Sequence, residues 1–287
     1  MIWDIGLIWE WQYDERFIKL FDALCYKKGK KSYFISGYNL SETIEKITKG
    51  NLKFKAILDR ATDCNIAFIP LVHLLQKQGS RVIDDPAKIA RSSDKATMHI
   101  ECLKAGLKVP ESMILFPNDE ITEEMLGSIG IPFIIKPALG GGGEGVIKDA
   151  FSISDIIMAR SKSPNAVFII QKKIIPREVD GNRCWFRVFF VCGKVIPCFW
   201  NDLTHVSRRV SPSQEKTFEK LIEITKKINT LTSLEFFSTE IAQLQNGDFV
   251  VIDYANDQCD MRFQSDTHEG VPDLVIEEII EAIIDTL

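Results

Sequence analysis

The stretch Pro132 to Val146, PFIIKPALGGGGEGV, constrains this chain more than any other. A short apolar strand, Phe133 to Ile135, ends on Lys136 and Pro137. Gly140, Gly141, Gly142, Gly143 and Gly145 then fill five of six positions, with Glu144 between them. Lacking Cβ atoms, such a backbone can fold into a concave row of N–H groups that approaches phosphate closely, and the lysine upstream adds a point charge. The alternative for a glycine run is a flexible tether. Strand signals stand tightly on its N-terminal side, and Val146 and Ile147 restore apolar character at once, which fits a hairpin tip or lid better. Neither the Gly-Lys-Ser/Thr ending of a Walker loop nor a strand-to-helix GxGxxG context is present.

A length of 287 residues allows two or three lobes with buried cores. The net charge of −5, with no basic stripe, argues against a nucleic-acid partner. The densest basic run, Lys27 to Lys31, reads as a solvated helix end and turn. Seven cysteines lack CxxC spacing and sit mostly among apolar residues, so they read as reduced core side chains. Four histidines lie far apart and suggest no transition-metal pair. Asp4, Glu10 and Asp14 oppose a signal peptide, and no apolar run reaches the roughly 18 residues of a membrane span. The expected compartment is a reducing cytoplasm, with no membrane partner.

Residues 1–85 alternate strand-like and helix-like pieces: strands at Ile5 to Trp9, Ser32 to Ile35, Ala56 to Leu58 and Arg81 to Ile83, helices at Asp14 to Lys28, Ser41 to Thr48 and Ile66 to Leu75. Repeated βα units favour a parallel sheet covered by helices, and ligands gather beyond the carboxyl ends of such strands. Asp59 and Arg60 stand there as candidate substrate contacts, with a surface ion pair as the plainer reading. Asp85-Pro86 has the form of an N-cap followed by a first-turn proline, opening a helix to Ala105 that breaks near Ser92 and Ser93. Lys95 lies in its second half.

From about 111 to 175 the pattern is strand (Met113 to Phe116), helix (Ile121 to Ile129), strand (133–136), glycine loop, strand near Val146, helix (Ser154 to Arg160) and strand (Val167 to Gln171). RCWFRVFFVCGKVIPCFW then reads as a hairpin turning at Gly193-Lys194. Alternation places Arg183, Trp185 and Arg187 on one face, where unpaired burial would be costly, so the arginines should meet an anion or a carboxylate. Ser211-Pro212-Ser213-Gln214 has the shape of a capping box, opening a helix to about Asn229. Glu235 to Leu244 and Asp248 to Asp253 form a hairpin around Asn246-Gly247, and an acidic amphipathic helix follows Pro272. The last hairpin carries Glu240 and Asp253, with Asn256, Asp257 and Asp260 beyond. Oxygens at paired strand ends can converge on magnesium, or can simply be solvated.

In order, then, the chain holds Lys95, Lys136, a glycine loop, an apolar strand entering FIIQKKI, an arginine-bearing hairpin, and the acids and amide of FFSTEIAQ and FVVIDYAND. This set resembles the ATP-grasp superfamily, nearest in size and spacing to the ribosomal-protein glutamate ligase and D-alanine:D-alanine ligase branches. The resemblance covers residues 86–287 in its motifs. It implies an α/β and α+β architecture: an N-terminal βα lobe (1–85), a small lobe with linker helix and glycine lid (86–175), and a large lobe with the metal site (176–287).

The resemblance further implies an ATP-dependent ligase that joins a small-molecule or peptide carboxylate to an amine through an acylphosphate. A kinase on the same fold and a non-catalytic nucleotide-binding module are the alternatives, and a homodimer is left open. Lys95 and Lys136 would touch ATP phosphates and the adenine side, and the loop of Gly140, Gly141, Gly142, Gly143 and Gly145 would close over the phosphates. Backbone near Gln171, Lys172 and Ile174 would bind adenine, and Glu178 the ribose. Arg187 would neutralise phosphate charge, with Arg183 as its rival. Glu240, Asp253 and Asn256 would hold one or two magnesium ions, or manganese in their place. Arg262 would contact the acyl phosphate or substrate carboxylate, unless a salt bridge with Asp260 or Asp266 claims it. Arg60, His205, Arg208, Arg209, Arg262 and the loop 201–213 would select an anionic acceptor.

The chain departs from the family pattern in having Gln171 where the first hinge residue is often acidic. In DYAN the asparagine also stands three residues after the second acid instead of two. Regular alternation would put Asn256 on the opposite face from Asp253 unless a bulge restores it.

Overall fold

The computed structural model describes residues 1–179, 181–210 and 215–287. The capping box expected at 211–214 lies outside the described residues.

The first lobe holds β1 (Ile2–Trp9), α1 (Glu15–Lys27), β2 (Ser32–Ile35), α2 (Leu40–Thr48), β3 (Lys53–Arg60), α3 (Ile69–Lys77) and β4 (Arg81–Ile83). Its sheet is parallel, in the order β2-β1-β3-β4. Both faces of the sheet are covered, so the centres of β1 (Ile5 to Ile8) and β3 (Ala56 to Leu58) are continuously buried and free of charged side chains, as in parallel strands. Residues Ile66–Phe68 form a 3-10 turn that precedes α3, with the Asn65 side chain accepting from Ala67 N–H and a proline in the first turn of α3.

Next come α4 (Pro86–Ser92) and α5 (Lys95–Lys104). Asp85 caps α4 and Asp94 caps α5, which is why the helical region breaks between them. The small lobe contains β5 (Ser112–Leu115), α6 (Glu123–Leu126), β6 (Phe133–Pro137), β7 (Ile147–Ala150), α7 (Ile153–Lys162) and β8 (Phe168–Lys172), its antiparallel sheet ordered β5-β8-β6-β7. The helix expected over Ile121 to Ile129 is only one turn long: Thr122 supplies no side-chain cap, and Gly127 and Gly130 end it, although Leu126 and Ile129 are still buried.

The large lobe holds β9 (Glu178–Val179), β10 (Asn182–Arg183), β11 (Trp185–Val191), β12 (Lys194–Trp200), β13 (Ser207–Arg209), α8 (Glu215–Thr232), β14 (Phe236–Gln243), β15 (Phe249–Asn256) and α9 (Asp273–Ile284). Its five-stranded antiparallel sheet runs β13-β12-β11-β14-β15. The β11–β12 turn is Cys192-Gly193, one residue earlier than expected, with φ of 48° and 95°. Positive φ at both positions is what a two-residue hairpin turn with matching twist requires.

One core joins the first and large lobes. Ile5, Leu7, Phe17, Phe21 and Leu58 pack with Phe189, Ile196, Phe236 and the apolar face of α9. The same boundary carries a buried ion pair. Arg60 and Asp14 are 3% and 1% exposed; Arg60 Nε and Nη2 donate to the two Asp14 oxygens at 2.8 Å, and Nη2 also donates to Cys259 C=O at 2.9 Å. The expected surface pair at Arg60 is thus a buried one, because its partner comes from the loop after β1 and its third contact from the large lobe. Asp59 is likewise buried, accepting from the N–H groups of Ala61 and Thr62 and from the Thr62 hydroxyl. Asp14→Ala would strand the guanidinium and is expected to cost about 3–5 kcal/mol in urea denaturation. A loss under about 1 kcal/mol would show that water replaces the carboxylate.

Candidate functional site

Between the small-lobe sheet and the large sheet lies a cleft of about 380 Å³, lined by Lys95, Lys136, Gly140 to Gly143, Gln171 to Ile174, Glu240, Asp253 and Asn256. Lys136 ends β6 and is 7% exposed. Its Nζ donates to Ile252 C=O at 3.0 Å and lies 5.5 Å from the Tyr254 ring centre. Burial lowers its pKa most strongly, Asp253 and Glu240 oppose that shift, and Lys95 adds to it. Lys95 opens α5; its N–H donates to Ala138 C=O at 2.9 Å and its Nζ to Gly140 C=O.

Gly140, Gly142, Gly143 and Gly145 have φ of 115°, 61°, 77° and 72°, which L side chains rarely adopt. Around Gly140 to Gly143 a Cβ would meet nothing within 4 Å, whereas at Gly145 it would come within 2.9 Å of Pro137 Cγ. The loop therefore stands open in its middle and is tightly fitted where it rejoins the strand.

Glu240 on β14 pairs with Asp253 on β15. Trp185 Nε1 donates to Glu240 Oε2 at 3.2 Å and Arg187 Nη2 to Oε1 at 2.8 Å, the two donors projecting from the same face of β11. The next register pair is Ser238 with Asn256, so three residues of β15 are set against two of β14. That bulge absorbs the extra residue of DYAN, and Asn256 joins Glu240 and Asp253 in lining the cleft. Tyr254 turns away into the core.

Other expected residues lie elsewhere. Glu178 is exposed, outside the cleft, and pairs with Arg183 at 3.3 Å. Arg183 also donates to Asp202 at 2.6 and 2.8 Å. Arg187 does not itself line the cleft; its guanidinium lies 4.4 Å over the Trp200 ring and its buried Nε has no partner among the described residues. Arg262 is held by Asp260, with Nη2 at 2.6 Å from Oδ2. Arg60 and Arg262 both line a second cavity of about 630 Å³, which shares Lys95, Gly140 to Gly142 and Asn256 with the cleft. Arg208 lies 4.6 Å over the Phe199 ring, Arg209 pairs with Glu278, and His205 stacks on Trp200 and meets Glu269 at 3.3 Å.

The residues present suit a magnesium nucleotide. Among the described residues no three His, Cys, Asp or Glu side chains gather as a complete metal cage. Two carboxylates and an amide leave coordination positions for water and phosphate oxygens, the usual habit of magnesium. The open middle of the glycine loop leaves room for phosphate to approach the backbone.

Several solved structures are similar in fold over nearly their whole length. The ATP-grasp ligase PsnB in complex with a minimal precursor, Mg and ADP is 15% identical, with a TM-score of 0.65 covering 97% of this chain and 98% of that one. The D-alanine–D-alanine ligase of Bacillus anthracis complexed with ATP gives 15% and 0.68, over 99% and 97%. A RimK domain ATP-grasp protein of Sphaerobacter thermophilus gives 16% and 0.63, over 98% and 97%. The chain has the ATP-grasp fold. No protein-family model and no curated protein matches its sequence.

Within this ATP-grasp frame the sequence reading overlooked Tyr254, whose hydroxyl shares a 2.6 Å hydrogen bond with His99 Nδ1. It also overlooked Trp185 as a Glu240 donor, although strand alternation had put Trp185 beside Arg187. The Arg60 partner Asp14, 46 residues away, left no local signal. None of the described helices is long and apolar enough to cross a membrane.

The two ends of the loop should respond differently to a methyl group. Gly145→Ala is expected to lose about 1–2 kcal/mol of stability through positive φ and the Pro137 contact, while Gly141→Ala changes it by less than about 0.5 kcal/mol. Equal losses in chemical denaturation would refute that asymmetry.

Proposed function

We propose that this chain is an ATP-dependent carboxylate–amine ligase that uses magnesium and works through an acylphosphate. The observation that carries the reading is the single cleft in which Lys136, the glycine loop, the 171–174 hinge and the Glu240, Asp253 and Asn256 set meet. The neighbours are ligases whose structures hold ATP, or ADP with Mg, which supports the same use here. In this reading the substrates are small-molecule or peptide, and the working place is the cytoplasm.

Phosphoryl transfer asks a protein mainly for positioning and charge neutralisation. Lys136 and Lys95 meet the phosphates, the hinge backbone receives the adenine, and Arg187 keeps Glu240 oriented. Lys172 N–H already donates to Glu111 C=O at 2.8 Å, so other hinge groups serve the base. Magnesium held by Glu240, Asp253 and Asn256 would supply further charge neutralisation. A carboxylate oxygen attacks the γ-phosphorus and ADP leaves. The amine then attacks the acyl carbon, phosphate departs, and the amine loses its proton to give an amide. The glycine loop, shared by both cavities, screens the acylphosphate from water.

Phosphorus NMR of the protein with ATP, magnesium and a cytoplasmic small-molecule extract is expected to show ADP and free phosphate only when extract is present. A stable phosphoester would overturn the ligase reading in favour of a kinase. Lys136→Ala is expected to slow turnover by on the order of 100-fold. Undiminished ATP cleavage would remove Lys136 from the site.

A further inference from the structure

Three consecutive residues of β15 attend to one ammonium: Ile252 C=O accepts from Lys136 Nζ, the Asp253 charge lies near it, and the Tyr254 ring stands 5.5 Å from it. Tyr254 is buried, and its hydroxyl is fixed from the other side by His99 on α5. The rings of the two residues meet edge-on at 5.9 Å. His99 follows Lys95 by four residues, one helical turn, so whatever holds His99 also sets where Lys95 meets the glycine loop. One side chain therefore touches the phosphate-side lysine and the linker helix, from the strand that carries Asp253 and Asn256.

We propose that Tyr254 is the positioning residue that locks both lysines to the acidic strand, so that nucleotide and metal are gripped in one fixed geometry. This rests on the ligase reading only in taking the cleft to bind a magnesium nucleotide. An aromatic that merely filled the core would need no hydroxyl, and phenylalanine would serve. The buried Tyr254 hydroxyl is instead committed to His99 on another element, and its ring supplies the desolvated contact a buried ammonium favours.

Calorimetric titration with magnesium and a non-hydrolysable ATP analogue tests this. Tyr254→Phe is expected to keep one site per chain and to bind about tenfold more weakly; Tyr254→Leu, which also removes the ring, about 30-fold or more. In a double-mutant cycle, Tyr254→Leu should cost much less affinity in a Lys136→Met background, since the two side chains act on each other. A merely structural role would lower the active fraction and the melting temperature and leave the affinity of the remaining sites unchanged. Wild-type affinity in both Tyr254 variants, or full additivity with Lys136→Met, would overturn the proposal. Failure of the wild-type protein to bind the analogue would instead overturn the nucleotide reading on which it stands.

Discussion

A lysine ammonium shut almost wholly from water must be surrounded by compensating groups, because desolvation otherwise drives off its proton or expels it from the interior. Lys136 meets that demand with groups that all come from another sheet: the Ile252 carbonyl, the Tyr254 ring, and the charges of Asp253 and Glu240. The requirement brings the end of β6 against β15 and creates the cleft at their junction. Arg60, paired with Asp14 within the first lobe, does the equivalent elsewhere by donating to Cys259 C=O of the large lobe. Two buried cations thus fix the large lobe against both of its neighbours. Each uses a backbone carbonyl as well as carboxylates, which makes the fit directional.

The regular parts of this arrangement were legible because they depend on short-range rules. Apolar periodicity gave the βα units, Asp85-Pro86 marked the start of α4, and Asn246-Gly247 marked the last hairpin. Alternation correctly set Cys184, Phe186 and Val188 in the core, opposite Trp185 and Arg187. What escaped depends on register or on distant partners. The bulge between the Glu240–Asp253 and Ser238–Asn256 pairs cannot be deduced from β15 alone, since it exists only against β14. Arg60 looked like a surface residue because its partners lie 46 and 199 positions away. Glu178 was placed by analogy through a loosely matching segment, and in the structure a neighbouring arginine, not the cleft, holds it.

The glycine loop gains meaning from its ends. Lys95 holds the Gly140 carbonyl, and Gly145 sits against Pro137, so both feet are anchored while a Cβ at Gly141 to Gly143 would meet nothing within 4 Å. A run with free ends would behave as a tether, sampling many conformations at high entropic cost on closure. Anchoring confines the motion to a few residues, which suits a lid that must close often and return. The loop also borders both cavities, and under the proposed function it would divide the nucleotide side from the side of the second reactant.

That second cavity argues against simple attraction as the basis of selection. Its arginines led to the expectation of an anionic acceptor, yet Asp14 claims Nε and Nη2 of Arg60, and Asp260 claims Nε and Nη2 of Arg262. An incoming anion would have to compete with carboxylates already in place, one of them fully buried. The buried donor that remains is Arg60 Nη1, which has no partner among the described residues, and Gln258 Nε2 beside the same cavity is in the same condition. Two directional donors discriminate by where an acceptor atom can be placed, which net positive charge would not do. Under the proposed function, recognition in this cavity would be set by geometry at the junction of the first and large lobes, which the Arg60 to Cys259 hydrogen bond crosses.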